Sequence, residues 1–310
     1  MAEPFEEHVP VLGDAVVEHL AAASPLQTAS KSCVLVDCTL GLGGHAGLML
    51  RQNPALRLIG LDLDETNLEI ARTRLAGFAD RVRLVQANFA DLRAVLDECG
   101  VPQAEGILAD LGLSSNQLLD PQRGFTFDAD GPLDMRMDRG QRTTAADLVN
   151  TMSEGELSDL LYLQSQERHS RRIAKRICQA RRQGRLNSTQ MLARLVAAAT
   201  GEGSTSHRSR IHPATRTFMA LRISVNSEID ALRRLLSQAP ACLAPGGRIG
   251  VISFHSVEDR VVKLDFRDRC RDGLYRLVTK KPVIADEEER TRNPRSRSAK
   301  LRVAERTSAP

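Results

Sequence analysis

Five residue groups in this chain could do chemistry. The first is Gly41-x-Gly43-x-x-Ala46, which follows the apolar run Cys33-Val-Leu-Val-Asp-Cys-Thr39 and opens a segment able to form a helix. Glycines there permit a tight turn and close approach of backbone to a ligand. Asp62 lies about 20 residues on, where a carboxylate can bind ribose hydroxyls. Such a pair fits NAD and S-adenosylmethionine alike, because both present an adenosine ribose. Two further features favour S-adenosylmethionine. Gln86-Ala-Asn-Phe89 sets a ring where adenine can stack, and Asp110 closes a fourth apolar run. A nicotinamide enzyme has no particular need of a carboxylate at that place. A methyltransferase does, because its donor is a sulfonium cation that must be oriented against the acceptor.

The other four groups are Asp110–Gln117, Arg123–Phe127, Gly131–Asp138 and Ser253–Arg260. Each mixes glycine, hydroxyl, acid and arginine beside expected strand ends, and polar loops on a rigid scaffold commonly carry function. Ser253, His255 and Glu258 lie too close together for a hydrolase triad, and no nucleophile elbow precedes them. His212-Pro-Ala-Thr-Arg216 reads as a helix start with Pro213 at or near its first position.

A cationic stripe follows. Arg168, Arg171, Arg172, Lys175 and Arg176 recur at three- and four-residue spacing, which gives one helix face; Arg181, Arg182 and Arg185 extend it. The net charge of +4 hides the asymmetry behind this stripe. Residues 1–150 hold 12 Lys and Arg against 22 Asp and Glu, a net −10, whereas residues 151–310 hold 31 against 17, a net +14. Of the basic residues all but six are Arg, whose planar fork suits phosphate. An Arg-rich half is an electrostatic footprint for nucleic acid.

These residues need a scaffold. Apolar runs at 33–39, 56–62, 82–86 and 106–110 alternate with helical segments at 44–52, 64–76 and 89–99, which predicts a parallel sheet. After Leu111 the rhythm breaks, and residues 112–140 have no clear period. From about 144 to 199 the pattern is helical, with a capping box at Ser153–Glu156. A polar loop at 201–210 precedes a long helix over 214–239. Ala244–Gly247 reads as a turn, Arg248–Phe254 as a fifth strand, and two more strands fall near 275–281 and 299–303. The chain thus reads as an α/β domain interrupted at the end of its fourth strand, where such sheets bind ligands.

Composition excludes several classes. No apolar stretch approaches the length of a membrane span. The acidic start has no apolar core of a secretory signal, and six scattered Cys without a C-x-x-C pair fit reduced thiols in the cytoplasm. Aromatics are few, eight Phe, two Tyr and no Trp, yet Phe89, Phe125, Phe127, Phe218 and Phe254 all fall in or beside the motifs above.

The clusters, in this order, resemble the bacterial 16S rRNA N4-cytidine methyltransferases known as the RsmH or MraW family. The resemblance runs from His8-Val-Pro-Val-Leu12 to Arg302–Arg306 and includes His212–Phe218, Ala220–Ile223 and Asn293–Lys300. It implies a class I, Rossmann-like S-adenosylmethionine-dependent methyltransferase sheet formed by 1–112 and 213–310. A mostly helical RNA-recognition domain, 113–212, is inserted in it. It implies methyl transfer to the exocyclic amine of one cytidine in the decoding centre, with 16S rRNA or the small ribosomal subunit as partner and no membrane. The assembly state, a homodimer included, stays open. The family's cofactor residues carry over to Gly43, Gly44, His45, Asp62, Phe89, Asp110 and Gln117; the fingerprint adds Gly41. Asp110 is the first candidate to accept an N4 hydrogen, the carbonyls of Leu111–Ser115 the second, and no metal is required. Three departures stand out: Gln164-Ser-Gln166 where the family often has Tyr-Gly-Glu, Met219 where Gln is usual, and Asn116 where Pro is common. A nicotinamide oxidoreductase and a non-catalytic RNA-binding assembly factor are the rival readings.

Overall fold

The computed structural model describes residues 9–21, 33–201 and 212–308. The acidic start, His8 and most of the expected 201–210 loop lie outside the described residues.

Five apolar runs form parallel strands: β1 (Cys33–Asp37), β2 (Leu56–Asp62), β3 (Val82–Gln86), β4 (Ala104–Asp110) and β5 (Leu243–Ser253). With β6 (Tyr275–Leu277) and β7 (Lys300–Arg306) they make one sheet of order β3-β2-β1-β4-β5-β7-β6, in which β7 is the reversed strand. The α/β class and its class I, Rossmann-like sheet, which the resemblance implied, are borne out. Alternate residues face opposite sides of a sheet, and two cores follow. Leu35, Leu58, Leu108 and Ile252 pack with Met49 and Leu68 on one side. Val36, Ile59, Ile107 and Val251 pack with Leu96, Leu235 and Phe266 on the other. Burial on both faces is why these strands read as unbroken apolar runs.

Three differences from the expectation bear on how the chain is laid out. The expected 89–99 helix opens as a 3-10 turn, Phe89–Asp91, before the α-helix Leu92–Glu98. The Ala244–Gly247 turn is a bulge inside β5, because the register with β4 shifts between Ala104↔Leu243 and Gly106↔Arg248. The long helix expected over 214–239 is two, Thr215–Val225 and Glu228–Cys242, broken at Ser227 with φ 50°.

The chain divides into two compact units, Met1–Ser114 with Asp230–Pro310, and Ser115–Ile229. The first unit therefore resumes at Asp230 rather than at 213, inside the helix Glu228–Cys242. The second is built from the helices Ala145–Thr151, Glu154–Ser165, Ser170–Ala180, Thr189–Thr200 and Thr215–Val225. Ser153 caps its helix through the expected box with Glu156.

One close contact fixes the β1 turn. A Cβ on Gly60 would stand 2.8 Å from Leu40 Cδ1, so Leu40 lies directly on the β2 backbone. Gly60→Ala is expected to push Leu40 outward at a cost of about 1–3 kcal/mol and to weaken cofactor binding by shifting Gly41. A melting temperature and a cofactor titration equal to the unsubstituted protein's would show that the turn does not depend on this contact.

Candidate active site

Strand order reverses between β1 and β4, and the carboxyl ends of these strands gather the site. Leaving β1, the chain is held on both sides: Cys38 N donates to Leu108 O at 2.8 Å, and Leu40 N to Leu61 O at 2.8 Å. Gly41 (φ 53°) and Gly43 (φ 79°) take left-handed conformations that only glycine adopts at little cost. Gly43 caps the helix Gly44–Gln52.

Asp62, at the end of β2, organises this turn. Its Oδ2 accepts from Gly41 N at 2.8 Å and Asn67 Nδ2 at 3.1 Å, and its Oδ1 from Asp64 N at 2.8 Å. Burial pushes its carboxyl up to about 6, and those three donors hold it lower than burial alone would. Asn67 was not foreseen from sequence. It is 1 % exposed, and its Oδ1 accepts from Ser114 Oγ at 3.2 Å, so it ties the ends of β2 and β4 together. A polar residue at a core position of the helix Glu65–Arg74 was the signal available.

Asp110 ends β4. Thr39 Oγ1 accepts from its backbone N at 2.6 Å, which joins it to the β1 turn. Its side chain is 24 % exposed, but the exposure is one-sided: Oδ1 is buried with no hydrogen-bond partner among the described residues, while Oδ2 lies 3.6 Å from His45 Nδ1. Burial raises its carboxyl well above the ordinary range, the Asp37 and Glu258 carboxylates raise it further, and the Arg295 guanidinium opposes them. Asp37, buried at the end of β1, is likewise pushed up to about 7, by burial first and the Asp62 charge last. An orphaned carboxylate oxygen beside two other acids suits a cationic ligand with hydroxyl and amine donors, as S-adenosylmethionine is.

Phe89 is half-buried against the sheet core after β3, and the Gln86 side chain donates to Leu63 O at 3.2 Å. The structure therefore gathers Gly41, Gly43, Gly44, His45, Asp62 and Asp110 at adjoining strand ends, with Phe89 after the next strand. Gln117 belongs to the second unit, buried in the helix Ser115–Leu119.

Several motif residues prove to be scaffold. His255 caps the helix Ser256–Arg271 in a box with the buried Glu258, and Ser253 is buried, which disposes of a triad. Lys300 and Arg302 pair with Asp259 at 3.2 and 2.7 Å, so the 293–302 segment is not a free basic tail. Of that segment it is Arg295 whose charge acts on Asp110. In the second unit Arg123 donates to the carbonyls of Arg136 and Met137, and Arg136 forks onto Asp134 at 2.8 Å. A Cβ on Gly124 would collide with the Pro132 carbonyl, and one on Gly131 with the Pro121 carbonyl. The 120–142 segment is thus a folded loop that its own motif residues hold. Phe127 packs on Phe218 and His212 with ring centroids 4.8 and 4.7 Å away. Pro213 precedes the N-cap Ala214 rather than opening the helix.

The helix Ser170–Ala180 buries Ile173, Ala174, Ile177 and Cys178 and exposes Arg171, Arg172, Lys175 and Arg176. Arg168 is exposed in the turn before it, and none of these five meets a carboxylate among the described residues. Arg181 and Arg185 do not extend the stripe: Arg181 donates to the carbonyls of Val149 and Met152, and Arg185 pairs with Asp147 at 2.8 Å. Of the departures, Gln166 ends the preceding helix at φ 55°, an exposed turn position, Met219 is half-buried, and Asn116 lies in the helix Ser115–Leu119.

The profile of the MraW methylase family matches residues 6–307. Ribosomal RNA small subunit methyltransferase H of Sorangium cellulosum is 49 % identical over 97 % of this chain and 91 % of its own length. The protein of that name from Synechococcus sp. strain CC9605 is 50 % identical over 99 % of both chains. The one from Thermobifida fusca is 46 % identical over 99 % of this chain and 96 % of its own. The nicotinamide reading falls with this match. The chain belongs to the MraW methylase family, and its methyl donor is S-adenosylmethionine.

Proposed function

We propose that this protein methylates the N4 exocyclic amine of one cytidine in the decoding centre of 16S rRNA, within the cytoplasm. The names of its full-length relatives support small-subunit rRNA as the substrate. The cytidine amine rests on the family resemblance and on the site's chemistry. The observation that carries the chemistry is the Asp110 carboxyl at the β1–β4 switch, 24 % exposed and with no donor to its Oδ1 among the described residues.

When bound, S-adenosylmethionine supplies an electrophilic methyl group. Asp62 accepts from its ribose hydroxyls, the Gly41–His45 turn offers close backbone approach, and Phe89 serves the adenine. The resemblance adds Gln117. A cytosine must leave its stack to be reached. Its N4 lone pair is delocalised into the ring and is weakly nucleophilic. Asp110, by accepting from an N4 hydrogen, favours a pyramidal nitrogen whose lone pair can attack in line. Positioning and fixed charge then supply most of the rate.

The exposed stripe of the second unit is the phosphate contact in this proposal. Replacing Arg171, Arg172 and Lys175 by Gln is expected to weaken RNA binding and to flatten its log–log salt slope by about 2–3. A filter-binding series with an unchanged slope would return these residues to a solvated face.

Transfer from methyl-labelled S-adenosylmethionine to unmodified small-subunit rRNA, free or assembled, tests the function. Label recovered in N4-methylcytidine is the expected result. No transfer to either form would leave a non-catalytic assembly factor.

A further inference from the structure

We propose that His45 and Asp110 form a proton-accepting pair that takes up the hydrogen ion released when the amine is methylated. This rests on Asp110 being the acceptor for N4.

His45 Nε2 lies 2.9 Å from the carbonyl oxygen of Val11. A carbonyl only accepts, so Nε2 keeps its hydrogen in either charge state. Nδ1 is then the nitrogen that gains or loses a proton, and it lies 3.6 Å from Asp110 Oδ2. His45 is 7 % exposed, in the first turn of the helix Gly44–Gln52. A helix N-terminus disfavours an imidazolium, and the Asp110 carboxylate offsets that. Among the described residues, the charged groups that act on Asp110 are Asp37 from β1, Glu258 from the helix Ser256–Arg271 and Arg295 from the turn Pro294–Ser298. Glu289 stands beside Val11, its Oε1 accepting from Leu12 N at 2.7 Å.

The charge balance favours such a pair. As N4 forms its bond to the methyl carbon, the S–CH3 bond breaks and leaves its electrons on sulfur. One positive charge disappears from the donor, and N4 sheds one proton. Asp110 accepts that proton on Oδ2 and passes it to Nδ1, 3.6 Å away, leaving an imidazolium beside a carboxylate. A cation, a neutral imidazole and a carboxylate become a neutral thioether, an imidazolium and a carboxylate. The summed charge is unchanged, which is what a partly desolvated site requires. The Nδ1 position is the only new place the charge has to occupy.

Calorimetry at pH 7 in buffers of differing ionisation enthalpy tests this without turnover. Binding of neutral S-adenosylhomocysteine should take up about one proton more than binding of the S-adenosylmethionine cation. In His45→Gln, whose side-chain amide can still donate to Val11 O, both should bind and the difference should vanish. The imidazole nitrogen shifts of His45 in the unsubstituted protein give a second readout. Nδ1 should be protonated with the neutral ligand and not with the cation. Equal proton uptake for the two ligands, or a difference that persists in His45→Gln, would overturn the proposal. Asp110→Asn separates the two levels. If it turns over normally, the acceptor reading itself fails. If it is slow while proton uptake is equal, only the pair fails.

Discussion

Asp110→Asn is expected to lower the single-turnover rate of methyl transfer by about two to four orders of magnitude, the usual range for a positioned proton acceptor. The substitution is nearly isosteric and leaves the backbone bond to Thr39 Oγ1 intact, so the β1–β4 junction should fold as before. Its effect falls on the side chain. One carboxylate oxygen becomes an amide nitrogen, which cannot accept, and the other a neutral oxygen that accepts weakly. Asn also removes the negative charge that opposes Arg295 and the cofactor's cation. Cofactor affinity should fall too, by less than the rate. A near-normal rate at saturating cofactor and RNA would remove Asp110 from the chemistry.

Asp62→Ala is expected to weaken S-adenosylmethionine binding by about 100-fold or more. Two hydroxyl-to-carboxylate bonds are lost at about 1.5 kcal/mol or more apiece, and about 1.4 kcal/mol is tenfold in affinity. The amides of Gly41 and Asp64 and the Asn67 side chain also lose their acceptor, so the turn loosens. The same carboxyl gives a pH signature, because burial raises it to about 6 and only its ionised form accepts from every donor. Affinity should fall roughly tenfold for each pH unit below that value, and Asp62→Asn should be flat over the same range. Stability runs the opposite way. The folded state holds this proton more tightly than the unfolded chain, whose value is 3.8, so that contribution is complete below 3.8 and is lost as pH rises through about 6. Unchanged affinity in Asp62→Ala by calorimetry would show that the ribose role is wrong.

The sheet was legible because its central strands are buried on both faces and end on acids. The runs that end on Asp62 and Asp110 locate the carboxyl edge from the sequence alone. Partners distant in sequence were not legible. Asn67 meets Ser114, the Arg295 charge acts on Asp110, and Arg123 holds Met137, and no local period announces these interactions. The break at Ser227 was hidden because helical spacing continues across it. Its neighbour Asn226 is instead committed to Met135 O and Met137 N, far back along the chain. The stripe on Ser170–Ala180 was visible as spacing, but the carbonyl contacts that withdraw Arg181 from it depend on where Val149 and Met152 fold.

Mass spectrometry of small-subunit rRNA nucleosides from cells lacking this protein bears most directly on its function. N4 methylation of one decoding-centre cytidine should disappear and return with the unsubstituted gene but not with Asp110→Asn. Full N4 methylation of that cytidine in the deleted cells would contradict it.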